Sequence, residues 1–158
     1  MKQEADLEYT GFWLRVWASL IDNVILLLVI APPLLAIYGR GYWDSESFVQ
    51  GPADLLISYV FPAIVVVALW CKLGSTPGKM AIGATIVDAR TGGKPTVTQF
   101  IIRYVGYYLS LVMLFLGFVW VGIDARKQGW HDKLAGTVVV RRKPGAGTPV
   151  SFEEVHTT

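Results

Sequence analysis

The apolar residues of the chain fall into three long runs separated by polar stretches. The first run, residues 14–37, has 24 residues and makes a helix of about 36 Å, longer than the roughly 30 Å hydrocarbon core of a bilayer. The second run, residues 55–71, contains no charged residue. Both patterns predict helices that cross a membrane. The third run, residues 100–123, again has 24 residues and allows more than one arrangement.

The distribution of positive charge bears on how the third run is placed. A single third crossing would put seven of the 14 Lys and Arg residues on each side of the membrane. A helical hairpin or re-entrant segment would put thirteen on one side and one on the other. Because cytoplasmic segments are enriched in Lys and Arg, the second arrangement is favoured. The N-terminus, the middle loop and the C-terminus are then cytoplasmic.

The polar stretch after the second run predicts a small β element outside the bilayer. The segments ATIVDAR (84–90) and KPTVT (94–98) flank the turn signal TGGK, which favours a hairpin. The later segment LAGTVVVRR (134–142) is also typical of a strand, and its natural partner is ATIVDAR. Strands can pair only on the same side of a membrane, which again favours the hairpin arrangement of the third run.

The composition agrees with these patterns. Hydrophobic residues make up 53% of the 158, and the mean hydropathy of +0.47 exceeds what a soluble domain tolerates. We therefore expect an all-α, multi-pass protein of the cell (inner) membrane, built as a small helical bundle. The net charge of +2 is too small and dispersed to indicate a nucleic-acid partner. The predicted organisation is a tail (1–11), a transmembrane domain (12–142) and a disordered C-terminal tail (143–158).

Charged side chains within the apolar runs are the candidate site. Arg15 and Asp22 are seven residues apart, so they share one face of the first helix. Placing a carboxylate at the depth of Asp22 costs about 2.5 to 3.5 kcal/mol, which pairing, water or protonation must offset. Two interpretations stay open: an ion or proton site, and a buried Arg15–Asp22 pair that fixes helix register.

Further charged groups can complete this constellation. Arg103 lies on a face with the small residues Gly106 and Ser110, which permit close helix approach. It could meet Asp22 or a later carboxylate, or it is simply the positive residue at the inner end of the run. The later carboxylates are Asp124 and Asp132, in the polar segment that follows the third run.

Other signals argue against catalysis and cofactors. His131 precedes Asp132 without the three or four donors that a metal site assembles, so a hydrogen-bonding role is favoured. The segment GSTPGKM (74–80) lacks the spacing of a phosphate-binding loop. No serine or cysteine lies in a nucleophile motif with a base. We expect no enzymatic activity, no cofactor and no metal or nucleotide site.

Four blocks of the sequence, in order, resemble the RDD family of small membrane proteins: FWLRVWASLIDNVILL, STPGKMAIGATIVDARTGGKPT, IIRYVGYYLS and QGWHDKLAGTVVV. The resemblance covers about residues 11–142. It implies that the arginine for which the family is named falls on Arg15 and its two aspartates on Asp22 and Asp132, with Asp124 the less favoured choice for the second. Most members have no established activity, and some have been proposed to exchange sodium or other monovalent cations for protons.

Two functional hypotheses follow. In the first, the charged residues hold a compact bundle that has a non-catalytic role in membrane interaction or assembly, with a second copy or another membrane protein as partner. Clustered Lys and Arg beside a span suit such a surface. In the second, the protein exchanges a monovalent cation such as Na⁺ for a proton at Asp22, and we expect it to do so as an oligomer because two or three spans per chain form no complete pathway.

Overall fold

Two long apolar helical segments dominate the computed structural model, which describes residues 7–45, 47–112, 116–142, 150 and 152. The first, α1, spans Phe12–Tyr38, and the second spans Pro52–Leu73. Each is long and apolar enough to cross a membrane, with mean hydropathies of 2.4 and 2.1 in their most apolar stretches. Only 6% and 17% of these stretches are buried within the chain, so most of their side chains face outward. The two predicted spans are therefore present as candidate membrane helices.

The second span contains a local break in its α-helical geometry. It consists of α2 (Pro52–Leu55), a π-helical turn (Leu56–Val60) and α3 (Phe61–Leu73). Pro62 lies just after the π turn, and a proline ring conflicts with the carbonyl four residues earlier in an ordinary helix. A π turn is one of the established ways in which a helix accommodates such a break. The span thus stays continuous through Pro62.

The third apolar run forms two helices, α5 (Val97–Val112) and α6 (Leu116–Ile123), after the short helix α4 (Pro77–Ala81). The rings of Tyr107 and Phe118 stack with centroids 5.8 Å apart. Eleven residues of straight helix would separate these positions by about 16 Å. α5 and α6 are therefore not parts of one straight helix, and residues 113–115 lie outside the described part.

A three-stranded antiparallel sheet joins distant parts of the chain. Its order is β1 (Leu7–Tyr9), β3 (Thr137–Arg142) and β2 (Ala84–Asp88), with β3 in the centre. The predicted strand near the end of the chain and its pairing with the 84–90 segment are confirmed. The strand β1 was not predicted, because three residues are too short to show a period.

The predicted hairpin between 84–90 and 94–98 is wrong, because the second segment begins a helix. Thr96 and Gln99 form a reciprocal cap. The Gln99 backbone N–H donates to Thr96 Oγ1 at 3.2 Å, and the Thr96 backbone N–H donates to Gln99 Oε1 at 2.8 Å. This capping box satisfies backbone donors at the start of α5. The turn TGGK therefore leads into a helix and not into a second strand.

The central strand β3 separates two apolar clusters, because alternate side chains of a strand point to opposite faces. Val139 packs with Trp70 and Phe100 toward the helices. Val138 and Val140 pack on the other face, and the members of that cluster are Tyr9, Ala89, Val138, Val140 and Val150.

Two residues of the predicted disordered tail are packed against the sheet. Val150 is buried in the outer cluster, and Phe152 packs against the same group. The Phe152 ring lies where a side chain on Gly92 would be, with Cε2 2.7 Å from the position of a Cβ. Residues 143–149, 151 and 153–158 lie outside the described residues, so the prediction of disorder stays a prediction there.

A buried polar core between the helices

Arg15 projects from the first turn of α1 toward the C-terminal part of the chain. Its guanidinium forms an ion pair with Asp132, and its Nη2 donates to the Lys127 carbonyl at 2.6 Å. Its Nε donates to the Thr10 carbonyl at 2.9 Å, just before the helix. All these acceptors lie outside α1, so Arg15 ties the start of the first span to the segment after the third run. The predicted Arg15–Asp22 pair is not formed.

Arg103 approaches the same carboxylate from α5. It forms an ion pair with Asp132, and its Nη1 donates to Thr137 Oγ1 at 2.7 Å. The guanidinium is fully buried, with its central carbon 5.5 Å from the centre of the Trp70 ring and 5.8 Å from that of Tyr107. Of the three carboxylates that the sequence offers as partners, Arg103 therefore contacts Asp132, and not Asp22 or Asp124.

Asp132 is the shared partner of both arginines. It lies in the first turn of the short helix α7 (Trp130–Ala135) and also accepts a hydrogen bond from the Gly129 N–H at 3.0 Å. Burial alone would raise the pKa of Asp132, but the guanidiniums of Arg103 and Arg15 outweigh burial and hold that pKa below its usual range. The carboxyl is thus ionised at neutral pH. Its Oδ1 pairs with Arg103, and its Oδ2 contacts Arg15 and the Gly129 N–H.

Asp22 has separate partners, in the segment between the spans and the sheet. Its Oδ2 accepts from Thr76 Oγ1 at 2.5 Å, and its Oδ1 accepts from the Gly78 N–H at 2.6 Å. Gly78 lies so close to α1 that a Cβ there would collide with the Ala18 carbonyl oxygen. The STPGK segment, which lacks the spacing of a phosphate-binding loop, therefore binds the Asp22 carboxylate through hydrogen bonds.

Lys79 lies beside Thr76, which contacts Asp22, and near the Trp70 ring, which Arg103 also approaches. Its side chain is only 8% exposed, and its Nζ lies 3.4 Å from Thr76 Oγ1, the hydroxyl that donates to Asp22. The same Nζ is 5.9 Å from the centre of the Trp70 ring. The sequence analysis did not identify Lys79, because a lysine after a Pro-Gly turn is usually solvated. We call Arg15, Asp22, Lys79, Arg103 and Asp132 the polar core.

Asp124 lies outside the polar core. Its Oδ1 is 2.5 Å from the Lys133 ammonium, and its Oδ2 accepts from the N–H groups of Arg126 and Gln128, both at 3.1 Å. Lys133 is 45% exposed, so this pair is near the surface. Such contacts shape the turn between α6 and α7 and leave Asp132 as the carboxylate of the core.

His131 is buried beside Asp132 against aromatic rings. Its ring centroid is 4.3 Å from that of Tyr107, and its backbone lies 2.9 Å from where a Cβ on Gly106 would be. The Gly106 face predicted to allow close approach is thus the contact between α5 and α7. Burial lowers the pKa of His131 to about 3, an effect that Asp132 opposes and the Arg103 and Arg15 guanidiniums reinforce. The imidazole is neutral at pH 7.

A second buried carboxylate, missed as a site residue, lies at the other end of the spans. Asp54 is 2% exposed and accepts hydrogen bonds from Tyr42 Oη at 2.8 Å, Ser58 Oγ at 2.6 Å and the Gln50 N–H at 2.9 Å. All three donors are neutral and local in sequence. Within the described part of the chain, no group of three His, Cys, Asp or Glu side chains is arranged to hold a metal ion.

Comparison with known proteins gives a consistent picture. The chain is 31% identical over 150 residues to the uncharacterized membrane protein YteJ of Bacillus subtilis, covering 89% of this chain and 88% of that protein. It is 27% identical over 146 residues to YxaI of the same organism, covering 82% of this chain and 95% of that protein, and 35% identical over 75 residues to RP437 of Rickettsia prowazekii, covering 48% and 41%.

No solved structure matches the chain. The sequence profile of the RDD family matches residues 9–136, a range that holds every member of the polar core. With two apolar helices long enough to cross a bilayer, the chain is a membrane protein. It belongs to the RDD family.

Proposed function

We propose that the protein has a non-catalytic role in the membrane, as an assembly or interaction unit held rigid by its polar core. The observation that carries this proposal is the pairing of the buried Asp132 carboxylate with two arginines: its Oδ2 contacts Arg15 and the Gly129 N–H, and its Oδ1 forms the ion pair with Arg103. A carboxylate enclosed in this way joins α1, α5 and α7. Both of its oxygens face a guanidinium, which suits a structural role.

The arrangement of the sheet supports a topology for this unit. β1 precedes both spans, β2 follows them, and β3 follows the α5–α6 pair, yet all three strands lie in one sheet. Strands on opposite sides of a membrane cannot pair, so the chain has to cross the membrane an even number of times between successive strands. We therefore propose that α5 and α6 enter and return as a hairpin, with the sheet in the cytoplasm. The 13-to-1 division of Lys and Arg agrees with this orientation.

The interaction surface we propose is the basic margin of the cytoplasmic side. Lys72, Lys94 and Arg142 are exposed there, at the end of α3, beside β2 and at the end of β3. Clustered cations next to a span favour anionic lipid headgroups or an acidic partner segment. A second copy of this chain or another membrane protein is the partner we propose.

Co-expression of two differently tagged copies tests this role. Affinity purification of one tag, after solubilisation in mild detergent, is expected to recover the second copy or a defined membrane protein. The triple variant Lys72→Glu, Lys94→Glu and Arg142→Glu should reduce recovery without changing the unfolding temperature, because its side chains are exposed. A folded protein that recovers neither a copy nor any membrane protein contradicts the proposal.

A second candidate function, exchange of a monovalent cation for a proton, is favoured by the environment of Asp22. Its carboxylate is partly exposed, and both groups that donate to it, Thr76 Oγ1 and the Gly78 N–H, are neutral. Within the described residues, no basic side chain lies within 4 Å of it. A small cation is a suitable ligand for such a carboxylate.

Reconstitution in proteoliposomes with a pH-sensitive dye inside tests this exchange. Adding sodium, potassium or lithium outside should alkalinise the lumen for the wild type, because the cation enters as a proton leaves, and Asp22→Asn should abolish the signal. Asp124→Asn is the matched control, because Asp124 lies outside the polar core. Equal dye traces for protein-containing and empty liposomes would exclude exchange.

A further inference from the structure

The polar core carries more positive than negative charge. Among its described members, Arg15, Lys79 and Arg103 are cationic, whereas Asp22 and Asp132 are anionic. Arg103 and Lys79 are 0% and 8% exposed, so water does not screen them well. Neighbouring His131 is neutral at pH 7 and adds no charge. Within the described part of the chain, the polar core therefore carries one positive charge more than its carboxylates balance.

Unused hydrogen-bond donors accompany this excess. Nε of Arg103 and Nε1 of Trp70 are buried, and neither has an acceptor among the described residues. Both side chains adjoin, since the Arg103 guanidinium carbon lies 5.5 Å from the centre of the Trp70 ring and Lys79 Nζ lies 5.9 Å from it. Buried N–H groups in folded proteins are nearly always paired. The two N–H groups and the Lys79 ammonium can all donate hydrogen bonds to an anion.

We propose that the cluster of Trp70, Lys79 and Arg103 binds one small monovalent anion of the halide class. One such anion balances the charge of the polar core and accepts from the unused donors. The edge of an aromatic ring, where the indole N–H lies, is the positive part of its quadrupole and faces an anion favourably. The burial of all three side chains restricts the site to a small ion. This site does not depend on the assembly role proposed above.

Purified protein in detergent, with gluconate as the only other anion, tests the site. Bromide replaces gluconate at constant ionic strength, and the unfolding temperature is measured at each concentration. A saturable rise is expected for the wild type, because a ligand bound only by the folded state stabilises it. Exchanging sodium for potassium at fixed bromide should leave the midpoint of the rise unchanged.

Variants separate this site from general salt effects. Lys79→Met should weaken the bromide response by at least about ten-fold, whereas Arg40→Met, which alters an exposed cation in the loop between the two spans, should not. Trp70→Phe keeps an aromatic ring but removes the Nε1 donor, so it should also weaken bromide binding. This variant provides the test if Lys79→Met fails to fold. The proposal is overturned if bromide acts no better than gluconate, or if the midpoint of the rise is the same in the wild type, Lys79→Met and Trp70→Phe.

Discussion

Arg15 and Asp132, which are 117 residues apart in the sequence, form an ion pair between the first turns of α1 and α7. Together with Arg103, this pair connects the beginning of the chain to its C-terminal third. Because the groups are almost completely removed from solvent, the balance between their attraction and the cost of desolvation depends on every partner being present. The first prediction follows from that dependence.

Asp132→Asn should strongly destabilise the protein. Asparagine keeps the shape of the side chain but leaves the guanidiniums of Arg15 and Arg103 without their shared counter-charge, and breaking a buried pair costs about 3–5 kcal/mol. Thermal unfolding of the detergent-solubilised protein measures the change. Asp124→Asn is the control, since its partner Lys133 is 45% exposed and exposed pairs contribute about 1 kcal/mol or less. Equal losses for both variants would contradict the buried network.

Gly78→Ala should destabilise the contact between α4 and α1. Its Cβ would overlap the Ala18 carbonyl, a backbone group that cannot rotate away, and overpacking of this kind costs about 1–3 kcal/mol. The matched control is Gly122→Ala in α6, where a Cβ meets nothing within 4 Å. Unfolding temperatures of both variants check the prediction, and a neutral Gly78→Ala would mean that the two helices do not approach this closely.

Stability should depend on pH through His131. Its folded pKa of about 3 lies below its unfolded value of about 6.5, so the unfolded chain binds a proton that the folded chain does not. Stability is then independent of this group above about pH 6.5 and falls by up to about 1.4 kcal/mol per pH unit as the pH drops toward 3. Unfolding measured from pH 8 to pH 5 tests this, with His131→Asn expected to reduce the slope.

The topology can be examined with alkaline phosphatase fusions, which are active only outside the cytoplasm. Fusions after Lys94 and after residue 143 should both be inactive, because β2 and β3 share one sheet. A fusion after Asp44, in the loop between the two spans, should be active. Activity of the fusion after residue 143 would show that α5 and α6 do not return as a hairpin.

The features that could be predicted from the sequence are those set by local pattern. The two spans follow from runs of apolar residues, and the pairing of β2 with β3 follows from two β-branched segments. The false hairpin at 94–98 shows the limit of this approach. The residues TVTQ (96–99) fit a capping box, and a Gly-Gly turn can precede a helix as well as a strand.

The partners of the charged residues could not be predicted, because they depend on tertiary packing. Arg15 and Asp22 share a helix face, yet Arg15 contacts Asp132 and Asp22 contacts the STPGK segment. Helical spacing brings residues onto one face but does not choose between a neighbour on that face and a group on another element. For Arg103 the sequence leaves three possibilities open, which are Asp22, a later carboxylate or no partner, and the structure has the second of them.

The central position of β3 has a consequence for the order of synthesis. Neither edge strand pairs with the other, so β1 and β2 are both synthesised before β3, the central strand with which each of them pairs. Asp132 and its helix emerge just before it. Both apolar spans are therefore synthesised before the segment that joins α1 to α5, and a chain truncated before Asp132 would contain both spans without this connection.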